Sequence, residues 1–260
     1  MGYALFFLLL AGGVEEHYAR ANRLFEQQKF AEANQALDEA LAADPNHAAS
    51  LTLKGKLAMA FERFDIARLA FERAAQVAPG NAHAQFMLGF FYYFENDFRK
   101  ALAPLRRARE LNHRDPRPLL YEAMAQEGLA RPELAIPLYE RTTELEQSLG
   151  HPSAETHTAY GRLLYTLGRR EDAGKQFAQV LEIDPQSRDG NYEMGRLHLD
   201  GGRWKEAALH GEKALKAQGM GTTDRQIHFL LARAYGKLGD KELAEAHKRK
   251  FEASPVTLRR

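Results

Sequence analysis

The chain has no cysteine, and that absence removes disulfide staples, thiolate metal sites, thiol nucleophiles and cysteine-linked lipid together. It leaves the compartment open, because a chain without thiols suits oxidising and reducing surroundings alike. Charge of one sign is also lacking: the formal net charge is +1. No chain-wide field draws a polyanion, and nucleic acid is not an expected partner. The balance is uneven locally: residues 14–47 carry four more acidic than basic side chains, and residues 225–260 carry five more basic than acidic. Long hydrophobic runs are missing too. The longest, Tyr3 to Ala11, is nine residues, whereas a membrane-spanning helix needs about 20, so no stable membrane span is expected.

Catalytic signatures are equally scarce. HExxH, GxSxG and GxGxxG do not occur. Gly168 to Lys175 approaches a phosphate loop, but five residues rather than four separate Gly168 from Gly174, and Gln176 stands where a metal-binding hydroxyl is required. His17, His157 and His228 recur at one position of a repeating pattern. Stacked units set such residues along a ladder rather than around a point, so no metal site is expected. No carboxylate pair stands out as an acid–base couple. The expectation is no catalytic residue, no cofactor and no enzyme.

What the chain does have is an alanine at nearly fixed intervals: Ala33, Ala67, Ala101, Ala135, Ala173, Ala207 and Ala244, in steps of 34, 34, 34, 38, 34 and 37 residues. A period of 34 indicates stacked helix–turn–helix units instead of one central core. Other positions recur in phase. The eighth position is always small: Ala21, Gly55, Gly89, Ala123, Gly161, Gly195 and Ala232. An aromatic residue precedes the alanine by three at Phe30, Phe64, Phe98 and Trp204. A bulky residue follows it by four at Leu37, Phe71, Leu105, Tyr139 and Phe177. Pro45, Pro79 and Pro185 close units, since proline disfavours helix in the residue before it.

This pattern resembles the tetratricopeptide repeat family, whose signature is W-x2-L-G-x2-Y…A-x3-F…P. Seven units are predicted, starting near Val14, Ala48, Ala82, Pro116, Ala154, Arg188 and Arg225 and occupying residues 14–253, with a short basic tail at 254–260. The resemblance implies an all-α fold, a right-handed superhelical solenoid of seven helix–turn–helix repeats. Departures are visible: Gly211 and Lys248 replace the bulky residue, and extra residues around Gly150–Ser153 and Thr222–Asp224 lengthen two junctions. Pro104 and Pro137 fall inside second helices, where a bend or a late helix start is expected. The charged last unit reads as a solvent-facing cap.

The resemblance also implies a concave groove lined by first helices through positions two, five, nine, twelve and thirteen. Carried over, those positions give a candidate peptide-binding set of Met59, Phe86, Phe90, Tyr93, Phe94, Met124, Arg162, Tyr165, Tyr192, Arg196, Phe229 and Arg233. Two features dominate it. Phe86, Phe90, Tyr93 and Phe94 form a second apolar stripe on one helix, which either fills the chain's own interior or meets a partner. Arg162, Arg196 and Arg233 form a ladder suited to carboxylates or phosphates. Glu155, Asp189, Glu193 and Asp200 stand at or beside groove positions, so the ladder either pairs within the chain or meets a partner's anions. The lysine–asparagine carboxylate clamp of some family members is not matched, since only Asn22 falls on such a position.

The expected function is a non-catalytic scaffold that holds an extended peptide or helix of a partner, carrying acidic and apolar residues. The alternatives are assembly in the cell envelope through outer surfaces, or a sensor closing on a short peptide or small anion. Tyr3–Ala11 followed by Ala11-Gly12-Gly13 reads as a secretory signal cleaved before Val14, predicting a periplasmic or secreted protein. An apolar N-terminal segment of a cytoplasmic protein is the alternative.

Overall fold

The computed structural model describes residues 2–219 and 221–254, with side chains from residue 13 onward. The basic residues Arg259 and Arg260 and the side chains of Tyr3–Ala11, singled out in the sequence, lie outside that description. Among the described residues there are fourteen α-helices and no strand, in the order of seven successive helix–turn–helix units. The chain divides into two compact units, residues 1–138 and 139–260.

In the first unit, α1 (Gly2–Glu26) pairs with α2 (Phe30–Ala43), α3 (Ala48–Ala60) with α4 (Phe64–Val77), and α5 (Ala82–Phe94) with α6 (Phe98–Leu111). α7 (Arg117–Gly128) follows, and the division falls within α8 (Pro132–Ser148). In the second unit, α9 (Ala154–Thr166) pairs with α10 (Arg170–Ile183), α11 (Arg188–Asp200) with α12 (Trp204–Lys216), and α13 (Asp224–Leu238) with α14 (Lys241–Ala253). Helix starts follow local chemistry. Asn81 accepts from the backbone of His83 and Ala84, and Thr223 forms a capping box with Gln226.

The small eighth position does what its recurrence implied. A β-carbon at Gly55 would sit 2.6 Å from the Phe71 ring, and one at Gly161 would sit 2.5 Å from Phe177. The helices of a pair approach until that ring rests on glycine backbone, and any larger residue overpacks the contact. The periodic alanines from Ala33 to Ala207 are fully buried, whereas Ala244 is only partly covered and α14 buries His247 alone.

The departures from the repeat are absorbed by particular residues. Where Gly211 lacks a bulky side chain, Leu231 from α13 fills the gap, 2.6 Å from where a β-carbon would be. The lengthened junction before α13 is tied by buried Arg188, which donates to the Thr222 carbonyl at 2.7 Å, to the Ala217 carbonyl at 2.8 Å and to the Asp224 carboxylate. The other long junction is tied by buried Glu146, which accepts from Thr156 Oγ1 at 2.7 Å and the Ser153 amide at 3.2 Å. Of the two outcomes expected at the prolines, a bend or a late start, the late start does not occur: neither proline delays its helix. α6 begins at Phe98 and runs through Pro104, and α8 begins at Pro132 and runs through Pro137. A single lost donor does not stop a helix held by tertiary packing, and Pro104 is itself buried.

Candidate functional site

In the first unit the aromatic stripe closes largely on itself. Phe86 on α5 is 5% exposed. Tyr121, from α7, stands at the centre of the stripe, with its ring 5.0 Å from Phe90, 5.2 Å from Tyr93 and 5.8 Å from Phe86. Met59 and Phe90 pack on the same buried cluster, and the Arg117 guanidinium lies 4.8 Å from the Phe86 ring. Met124 is half-buried on α7. Phe94 differs: it is 47% exposed and touches Phe64 at 5.5 Å. The self-packing alternative thus describes Phe86, Phe90 and Tyr93, whereas Phe94 is left exposed to solvent. Tyr121, at the sixth position of its repeat, lies outside the groove positions carried over from the family, and the only hint of it was an aromatic residue one place from them.

A cationic group stands on the first helices of the same unit. Lys56, at position nine, has its ammonium pKa lowered by burial and by Arg117. His83 is likewise lowered by burial, then by Lys56 and Arg117, with Asp115 opposing. Asp115 takes Arg117 in a bidentate pair at 2.9 and 2.6 Å, and no carboxylate pairs with Lys56 among the described residues.

In the second unit two of the three ladder arginines are paired within the chain. Buried Glu193 accepts from Arg162 Nε at 2.6 Å and from Arg196 at 2.7 Å, and Asp189 takes the other edge of Arg162 at 3.1 Å. Arg196 also lies flat against aromatic rings, 4.5 Å from the centroid of Tyr165 and 5.7 Å from that of Tyr192. The Tyr165 hydroxyl donates to Asp200. Arg233 is different: it is exposed, sits 5.7 Å from the Phe229 ring, and has no carboxylate partner among the described residues.

These side chains enclose an open pocket of about 270 Å³. Its walls are Tyr165 from α9, Tyr192, Arg196, Leu199 and Asp200 from α11, and Phe229, Leu230 and Arg233 from α13. Three successive first helices therefore bring five of the sequence-predicted residues to one cavity: Tyr165, Tyr192, Arg196, Phe229 and Arg233. Arg162 stands behind it as a structural ion pair. Chemically the pocket offers aromatic and aliphatic walls with one uncommitted guanidinium at the mouth. Among the described residues, no group of three or more His, Asp or Glu side chains is arranged to hold a metal ion, and no helix is long and apolar enough to cross a membrane.

The tetratricopeptide repeat profile matches residues 18–82, 52–116, 120–188 and 158–221, and a second profile of the same description matches residues 226–250. Over 106 residues the chain is 32% identical to a Dictyostelium discoideum DnaJ homolog subfamily C member 3 homolog, covering 39% of this chain and only 21% of that protein. The solved structure of Pseudomonas aeruginosa pilF superposes with a TM-score of 0.70 at 16% identity, covering 80% of this chain and 92% of the other. YrrB, described as a TPR protein with an unusual peptide-binding site, superposes with a TM-score of 0.52 at 22% identity, covering 82% and 98%. These likenesses carry the fold, which is generally a non-catalytic platform for protein–protein interaction. With profile matches across most of its length and a helix pair for every predicted unit, the chain belongs to the tetratricopeptide repeat family.

Proposed function

We propose that the protein is a non-catalytic scaffold that holds an extended peptide or helix of a partner protein against the first-helix face of its second unit. The observation that supports this reading is the pocket between α9, α11 and α13, which the chain's own side chains line without filling. Aromatic walls suit an apolar anchor residue, and Arg233 suits an acidic neighbour of that anchor. The unpaired Lys56 near Arg117 extends the same preference for acidic partners to the first unit. The peptide-binding site named for YrrB is a precedent in a structure of this fold. A phage-displayed peptide library selected on the full chain tests the proposal. Enrichment of sequences that combine an aromatic or aliphatic residue with Asp or Glu is expected; basic or featureless enrichment contradicts it.

A second reading, assembly through outer surfaces, is favoured by Leu69 on α4 and Leu209 on α12, large apolar residues exposed on second helices. Export, read from Tyr3–Ala11 and Ala11-Gly12-Gly13, is a separate proposal. Mass spectrometry of the natively expressed protein is expected to find Val14 at the N-terminus, and an intact Met1 in the cytoplasmic fraction contradicts it.

A further inference from the structure

A larger cavity, about 390 Å³, opens in the first unit away from the residues of the aromatic stripe. It lies between α2 and the α3–α4 turn, and its origin can be read from the repeat itself. The eleventh position of the seven units holds Leu24, Ala58, Tyr92, Gln126, Leu164, His198 and Tyr235. Ala58 is the smallest of these, and Ala58 lines the cavity.

The next pair shows what fills this place when the side chain is large. The Tyr92 hydroxyl donates to Glu72 at 2.7 Å, and the Lys100 ammonium lies 5.6 Å from its ring centroid. Asp97 and Arg68 are close enough to act on the hydroxyl's titration. One repeat length earlier, those four neighbours are Asp38, Ile66, Arg63 and Asn34. Three of the four, Asn34, Arg63 and Ile66, line the cavity. The hole therefore has the surroundings of a tyrosine site from which the tyrosine is missing. Tyr235 repeats the arrangement in the last pair, donating to Glu212 at 3.3 Å.

The rim is exposed to solvent. Phe61 is 53% exposed and meets Phe30 edge to face at 5.6 Å. Lys54 is neutralised by Asp38 at 2.7 Å, whereas Arg63 is exposed and has no carboxylate partner among the described residues. We propose that the cavity at Ala58 is a docking site for a tyrosine side chain of a partner protein, whose acidic neighbouring residue meets Arg63. The ring enters beside the Phe30–Phe61 pair, its hydroxyl is directed to the Asn34–Asp38 edge, and the partner's carboxylate supplies the counter-charge that Arg63 lacks.

Side-chain probes test this on the full-length protein. Methyl-labelled protein is titrated, in nuclear magnetic resonance experiments, with 4-ethylphenol and with 3-(4-hydroxyphenyl)propionate. Saturable shifts are expected at the methyls of Ala58, Leu57 and Ile66. The propionate is expected to bind about two- to fivefold more tightly, an advantage lost at raised salt and in Arg63→Gln. Ala58→Tyr restores the missing ring and is expected to abolish probe binding while raising the melting temperature. Ala58→Leu, a residue already present at this position as Leu24 and Leu164, is expected to abolish binding as well. Absence of a saturable shift in the natural protein, or binding that persists in both Ala58 variants, overturns the proposal. Equal affinity for the two probes overturns the role given to Arg63. None of these outcomes touches the pocket of the second unit.

Discussion

At the fifteenth position of every pair the backbone turns left-handed, yet the two units fill it differently. The first unit uses Gln28, Glu62, Asn96 and Ala130, with φ between 56° and 59°. The second uses Gly168, Gly202 and Gly239, with φ of 77°, 73° and 83°. The contrast extends to the contact between positions four and twenty-three of each pair. In the first unit the fourth positions are His17, Leu51, Gln85 and Leu119, and Gln85 donates to the Ala75 carbonyl at 3.2 Å rather than across to position twenty-three. In the second the contact is a hydrogen bond with an imidazole: His157 to Gln176 at 2.7 Å, His210 to Asn191 at 2.9 Å and His228 to His247 at 3.0 Å. The first unit thus carries non-glycine residues in its left-handed turns and, among its described residues, no imidazole rung between positions four and twenty-three. The second has relaxed turns and polar rungs, and it keeps its first-helix pocket open. One repeat pattern accommodates both because it fixes only the small residues and the bulky residue that meet inside most pairs.

The largest expected effect sharpens the claim that the first unit is packed on itself. Phe91→Ala removes a fully buried ring and is expected to cost about 3–5 kcal/mol. Phe94→Ala, on the exposed end of the same helix, is expected to cost less than about 1 kcal/mol. Chemical denaturation of the two variants checks both. Equal losses break the division of α5 into a packed and a displayed part.

Acid is the next lever, and it is expected to act on the second unit. Burial lowers the pKa of His198, His228 and His247, and lowers that of His210 to about 4. The groups facing them act on both sides: Glu212 and Asp224 raise, while Lys213, Lys250, Arg203 and the neighbouring imidazoles lower. A histidine whose pKa is depressed on folding binds more protons when unfolded. Its contribution to stability is therefore complete above the ordinary value of 6.5 and is lost as the pH falls from there toward 4. Trp204, the sole tryptophan, lies on α12 and reports on this unit by fluorescence. Its melting midpoint is expected to fall on the order of 5–10 °C between pH 7.5 and pH 4.5. A Trp204→Phe, Phe64→Trp variant moves the probe to the matching position of the first unit, where a smaller fall is expected.

The turns give the smallest effects, of opposite sign in the two units. Ala130→Gly is expected to stabilise, and Gly202→Ala to destabilise, each by about 1 kcal/mol, because only glycine enters the left-handed region without a steric penalty. Thermal melts of both variants check the pair of signs.

The fold was legible because the residues that define it repeat. Gly55 and Gly161 under their rings, and the buried alanines from Ala33 to Ala207, occupy the places their spacing implied. The candidate site was legible only by position. Phase brought Tyr165, Tyr192, Arg196, Phe229 and Arg233 to one pocket, but it did not settle which arginine stays uncommitted. That depends on where Glu193 and Asp189 turn, and their pairing with Arg162 joins residues 31 and 27 positions apart on different helices. Tyr121 was missed because the family's groove positions exclude it, and the hole at Ala58 was missed because an absent ring leaves no motif. The prolines gave no late helix start, because local propensity yielded to packing along α6 and α8.

The central claim is that the second unit's face is open to an acidic, apolar peptide while most of the first unit's aromatic stripe is closed. It is tested most directly by calorimetric titration of a display-selected peptide against the natural protein and the Phe229→Ala, Arg233→Gln double variant. The expected result is at least about a tenfold loss of affinity, equivalent to about 1.4 kcal/mol, with the melting temperature unchanged. An affinity that survives both substitutions, or that falls equally in Phe90→Ala, would contradict the account.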